Sequence, residues 1–180
     1  MASKIEIASD ACLLLGANQI SSFSESTEGR IASALYEDTY RGILSSFRWR
    51  FASKKAMLSR LTEAPLNQYD YQYQLPTDLI NLIHGETLDN YEIYGDKLYS
   101  NLPTVSIDYI YRVEETLLPS YFILCFKFLL AAQFAIPLTD NSTKAELYSG
   151  LYTTQYRIAK NIDSSQRPST AILDKPLLNL

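Results

Sequence analysis

Leu44-Ser45-Ser46-Phe47-Arg48-Trp49-Arg50-Phe51-Ala52 is where the chain changes its period. Ahead of it, Ile31, Leu35, Tyr36, Tyr40, Ile43, Leu44 and Phe47 recur at three- and four-residue steps. That spacing predicts a helix over 25–46 with one buried face. Glu25 and Glu28 stand in its first turns, where the helix dipole favours negative charge. From Phe47 to Phe51 aromatic rings and arginines alternate strictly. Read as a strand, this puts Phe47, Trp49 and Phe51 on one face and Arg48 and Arg50 on the other.

Toward the N-terminus, a helix is expected over 3–15. Ser3 and Glu6 have capping-box spacing, Ile5, Ala8, Cys12 and Leu15 supply an apolar stripe, and Gly16 is placed to end it. Toward the C-terminus the two-residue period continues over 47–113. Tyr69, Tyr71 and Tyr73 alternate with polar residues, Leu79 to Ile83 form a short apolar run, and Gly95-Asp96 separates Glu92-Ile93-Tyr94 from Lys97-Leu98-Tyr99 as a two-residue hairpin turn. Val105, Ile107, Tyr109, Tyr111 and Val113 then alternate as the clearest strand. Helical spacing returns over 120–136, stopped by Pro137, and again over 142–162 behind the polar cap Thr139 to Ser142. In that last helix Leu147, Leu151, Ile158 and Ile162 are expected inward, with Tyr148, Tyr152 and Tyr156 alongside. The fold class that emerges is α+β, mainly α: a four-helix bundle with a small antiparallel β insertion between helices 2 and 3. Residues 1–163 form a single domain and 164–180 an extended C-terminal arm.

Composition narrows the function classes. The 180 residues carry a net charge of −4, which speaks against a chain whose main task is gripping nucleic acid. Fourteen tyrosines stand against one Trp and one His, and tyrosine suits both half-buried faces and surfaces that become buried against another protein. Cys12 and Cys125 belong to no CxxC pair and lie far from His84, so they read as small buried hydrophobes of a reducing compartment. Lys4, Glu6 and Asp10 interrupt any signal-peptide core. The apolar run Leu117 to Leu138 holds Lys127 at its centre. A charge at mid-bilayer costs about 3 kcal/mol, so a central helix of a soluble bundle, with no membrane, is the expectation.

Signals for catalysis are missing. No P-loop, GxSxG, HExxH or GxGxxG pattern occurs, His84 sits in an apolar strand-like context, and Glu114, Glu115 and Asp89 read as solvated loop charges. Asp108 and Glu92 would be candidates only if an acid-lined pocket held them. No catalytic residue, metal or cofactor is therefore expected. Six of the 16 basic residues fall between Arg41 and Arg60 with no acid among them. Arg41, Arg48, Arg50, Lys54 and Lys55 are thus candidates to face DNA or a neighbouring subunit. A small nucleic-acid-binding module built on 41–60 is the alternative function. The final stretch carries Ile172, Leu173, Leu177, Leu178 and Leu180, which suits an arm that anchors in a groove on another protein.

The order of motifs resembles a known family. Ala11-Cys12-Leu13-Leu14-Leu15-Gly16-Ala17 is followed by Ile20-Ser21-Ser22-Phe23, then by Leu44 to Ala52 and by Tyr73-Gln74-Leu75-Pro76-Thr77-Asp78. Next come Gly95-Asp96-Lys97-Leu98-Tyr99, Asp108-Tyr109-Ile110-Tyr111-Arg112-Val113, and a helix running from Leu130-Ala131-Ala132 to Pro137-Leu138-Thr139. Across residues 5 to 163 this set is similar to the tail tubular protein A family, the head-to-tail adaptors of short-tailed bacteriophages. The resemblance implies a structural virion protein, assembled in the bacterial host cytoplasm and located in the phage neck. It further implies a homo-oligomeric ring, commonly a dodecamer, between the portal protein and a tail nozzle of the tail tubular protein B type. Double-stranded DNA would pass through the lumen. Helices would build the ring wall, the β part would face the tail, and the C-terminal arm would reach the portal.

Overall fold

The computed structural model describes residues 2–83 and 90–166. His84, Asp89 and the arm residues Ile172, Leu173, Leu177, Leu178 and Leu180 lie outside the described residues. Helix α1 spans Lys4–Leu14 and α2 spans Thr27–Ser45. Seven strands follow: β1 (Ser53–Met57), β2 (Ser59–Arg60), β3 (Tyr71–Gln74), β4 (Leu79–Ile83), β5 (Tyr91–Tyr94), β6 (Lys97–Ser100) and β7 (Ser106–Tyr111). A 3-10 turn at Glu115–Leu117 leads into α3 (Ser120–Thr139) and α4 (Ser142–Ser165).

Local signals explain the first elements. The Ser3 hydroxyl accepts from the Glu6 amide at 3.2 Å, and the Glu6 carboxylate accepts from the Ser3 amide at 2.6 Å, so the capping box forms as its spacing predicts. Gly16, at φ 75, ends α1. Its amide donates to Leu13 and that of Ala17 to Cys12, a pair that satisfies the helix's last free carbonyls. Gly95, at φ 61, opens the two-residue turn that pairs Tyr94 with Lys97.

The expected four-helix bundle is corrected by the structure. Helix α3 is apolar on every side and is the axis on which α1, α2 and α4 each pack. Helix α1 has only 11 residues, about 16 Å, too short to run the length of its neighbours. Helix α2 divides its contacts between α3 and strands β4 and β7. The small β insertion is likewise two antiparallel sheets, one ordered β1-β7-β4 and the other β2-β3-β6-β5. The result is a mixed α+β fold with helices on one face of the first sheet and the second sheet on its other face. Strand β7 makes this layering: Ile110 points into the helical core, while Ile107 and Tyr109 point into a smaller core with Leu58, Tyr73, Leu75, Leu98 and Val105.

Three further expectations are corrected. Phe47 to Phe51 is a turn, not a strand, and β1 begins only at Ser53. The Trp49 amide donates to the Phe47 carbonyl at 2.9 Å and the indole Nε1–H to the Ile43 carbonyl at 2.9 Å, so the chain curls back to satisfy a buried ring. Pro137 does not stop α3. A proline so near the end removes one bond of the last turn, and Asp140, left-handed at φ 46, ends the helix instead. Helix α4 continues past 162 to Ser165 and so takes in the first residues assigned to the arm.

Helix α3 is long and apolar enough to cross a membrane by length and composition. In this fold three helices lie against it, and the Lys127 ammonium meets the Asp10 carboxylate at 2.5 Å. Cys12 and Cys125 are free and fully buried.

Candidate functional site

The basic segment is dispersed by the fold. Arg41 is exposed on α2, Arg48 and Arg50 are exposed in the turn, and Lys54 and Lys55 are neighbours on β1 and so point to opposite faces of the sheet. Carboxylates meet several of these charges. Lys54 reaches Asp78 at 3.0 Å and lies 3.6 Å from the centre of the Tyr111 ring. Asp108, opposite Lys55 in the ladder, gathers Lys55 at 3.6 Å and Arg48 at 3.3 Å. Arg41 and Arg50 have no ion pair among the described residues. The rings between the arginines are packed away from solvent. Trp49 is fully buried, edge-on to Phe122 at 5.1 Å and to Tyr156 at 5.8 Å, and Phe51 stands 4.8 Å from Phe122. Rings held in this way have no free face for a nucleic-acid base.

Asp108 and Glu92 do not come together. Asp108 is on β7 of the three-stranded sheet and is neutralised by two cations, while Glu92 is on β5 of the other sheet. Glu115 is corrected from a solvated loop charge to the partner of Arg112. The Arg112 guanidinium donates to Glu115 at 2.8 and 3.2 Å and to both oxygens of Glu37 at 3.0 Å, and it also donates to the Val113 carbonyl at 2.7 Å. Lys4 joins from α1 at 3.7 Å. These hydrogen bonds from Arg112 hold the Glu37 carboxyl below the usual carboxylate range. The cluster fastens the end of β7 to α2 and α1. A second fastening uses Asp163, which is fully buried: it accepts from the Arg50 amide at 2.9 Å and from the Tyr121 hydroxyl at 2.8 Å, tying the end of α4 to the Trp49 turn and the start of α3.

On α4 the expectation that Leu147, Leu151, Ile158 and Ile162 face inward is corrected. Leu147, Leu151, Ile158 and Ile162 are 57, 40, 47 and 41% exposed, while Tyr148, Tyr152, Tyr156 and Ala159 face the core. Acceptors for the hydroxyls explain the rotation. Tyr148 donates to the Leu14 carbonyl, and Tyr156 to the Ser46 carbonyl at 3.1 Å. Lys144 completes the seam with a 2.6 Å bond to the Leu15 carbonyl. Leu13, Leu14 and Leu124 are also exposed and line, with Asp10, Lys127 and Phe128, a cleft of about 330 Å3 between α1 and α3. On the other side of α4, Leu35, Asp38, Thr39, Gly42, Leu129, Gln133 and Tyr152 line a cleft of about 380 Å3 against α2. Both clefts mix aliphatic walls with a few polar side chains, and neither brings together a nucleophile, a base and an orienting group. Among the described residues no group of His, Cys, Asp or Glu is placed to hold a metal ion.

No family model matches the chain, and no curated protein is significantly similar to it.

Proposed function

We propose that the chain is a structural subunit that acts by docking: a head-to-tail adaptor of a bacteriophage virion. In this reading, copies close into a ring, most simply a dodecamer, between the portal protein and the tail nozzle, and double-stranded DNA passes through the lumen. No reaction and no cofactor is involved. One observation carries the reading. Leu147, Leu151, Ile158 and Ile162 leave a stripe of exposed aliphatic side chains along one side of α4, with Leu13, Leu14 and Leu124 also exposed, and clustered apolar surface of this kind suits a protein contact. The ordered motifs of residues 5 to 163 support the family chosen. The pairing of Lys54, Lys55 and Arg48 with Asp78 and Asp108 favours an assembly subunit over a nucleic-acid-binding module, because cations already neutralised release few counterions from DNA.

The test is mass measurement and negative-stain imaging of the protein alone and mixed with the portal protein encoded beside it. A ring seated on the portal is the expected result. Failure to form any complex across a range of salt concentrations would sink the adaptor reading.

A further inference from the structure

Strand β1 lies at an edge of its sheet, paired with β7 alone. The Tyr111 amide donates to the Ala52 carbonyl and the Leu58 amide to the Val105 carbonyl. With that register, Ala52, Lys54, Ala56 and Leu58 share the ladder with β7, while Ser53, Lys55 and Met57 turn their backbone groups outward. The Ser53 amide is used, donating to the Arg50 carbonyl at 3.2 Å. The Ser53 carbonyl and both backbone groups of Lys55 and Met57 have no backbone partner among the described residues. Met57 is 77% exposed and the Lys55 side chain 81%, so this edge is open to a further strand.

The side chains beside the edge decide what such a strand must carry. Lys55 and Arg48 share the single carboxylate of Asp108, which leaves one positive charge unmatched. Arg50 in the adjoining turn is exposed and adds another. Two copies paired β1 to β1 would bring four lysines together, and like charges across a ladder repel. The same charge favours an acidic partner. At the Met57 end a cleft of about 470 Å3 opens between Met57, Leu102, Pro103 and Val105, and Leu102 is also exposed. Residues two apart in a strand share a face, about 7 Å from each other. An apolar residue set against Met57 therefore stands beside the cleft, and the residue two positions on meets Lys55.

We propose that β1 takes an extended acidic segment of another protein as an added antiparallel strand. An apolar residue of that segment sits at the Met57 cleft, and an acidic one faces Lys55 and Arg48. Backbone hydrogen bonds supply the affinity, and these two side-chain positions supply the selectivity. The edge belongs to the first sheet and makes no use of the α4 stripe, so the proposal stands apart from ring formation.

The test adds an end-blocked peptide, Thr-Leu-Thr-Glu-Thr-Glu-Thr, to the full chain. In the antiparallel register its Leu faces Met57 and its first Glu faces Lys55. Binding on the order of 100 μM is expected. Amide exchange should slow at Lys55 and Met57 and stay unchanged in β5, the edge of the other sheet. N-methylation of the first Glu, whose amide points at β1, should weaken binding about tenfold. The same change on the Thr that follows, whose amide points away, should leave binding within about twofold. Lys in place of both Glu should weaken binding about tenfold. No binding at about 1 mM, equal effects of the two methylations, or protection that falls on β5 would each overturn the proposal. None of these results bears on whether rings form on the portal.

Discussion

The helical layer buries Trp49, Phe122, Phe126 and Phe134 around one axis, with edge-on ring contacts linking Trp49, Phe51 and Phe122. The outer, four-stranded sheet has no such centre. It closes on Leu98, Tyr73 and Val105 through strands of two to four residues, and Leu66, Ile93 and Tyr94 on this side of the molecule are exposed. Both layers belong to one described fold, joined through β7, yet their stabilities rest on different amounts of buried surface. Local opening should therefore begin in the outer sheet and leave the helical core intact.

The sharpest way to break that comparison is a pair of cavity substitutions. Trp49→Ala should cost about 3–5 kcal/mol and lower the whole transition, whether followed by helical circular dichroism or by amide exchange. Leu98→Ala should cost about 2–3 kcal/mol and accelerate exchange chiefly in β3, β5 and β6. If Leu98→Ala speeds exchange in α3 as much as in β6, the two layers open as one unit and the distinction fails.

A smaller effect tests the joint between the layers. Glu37 has its folded pKa depressed, so its stabilising contribution is fully present above its ordinary value of 4.5 and is lost as pH falls through the lower folded value. Glu37→Gln removes that dependence. The variant should be less stable than the parent at pH 7, and the gap should narrow in acid below about pH 4.5, as measured by urea midpoints. A constant gap would mean that the loss does not come from the ionised Glu37 carboxylate, and no gap at all would mean that Arg112 draws its support from Glu115 alone.

The smallest expected effect on the fold falls on the surface with the largest expected role. Leu151→Asp replaces an exposed side chain, so the melting midpoint should stay within the equivalent of about 0.5 kcal/mol, while ring formation on the portal should be lost. Rings that form normally from this variant would remove the stripe from the subunit interface.

What could be read in the sequence was local. The capping box at Ser3 and Glu6, the stop at Gly16, the Gly95-Asp96 turn and the alternation of β7 each depend on residues a few positions apart. The misreadings arose where distant partners decide. Strict alternation from Phe47 to Phe51 does alternate burial, but a turn satisfies that pattern as well as a strand once Trp49 finds the Ile43 carbonyl. On α4, leucine and isoleucine rank as more apolar than tyrosine. The side that turned inward is nevertheless the one whose hydroxyls meet acceptors on α1 and at the end of α2. The basic residues were visible one by one. Their neutralisation depends on Asp78 and Asp108, which reach them only after the strands pair.

The sheet order also bears on when the chain can fold as it leaves the ribosome. In the three-stranded sheet the central strand is β7, the last of the three to be synthesised, and in the helical layer the axis is α3, made after α1 and α2. The strands of the outer sheet are all made by residue 100, but Tyr36, Tyr40 and Trp49 of the helical core wait for residues 106–139. The helical core therefore cannot close until α3 has been made, and until then its apolar side chains are open to wrong contacts.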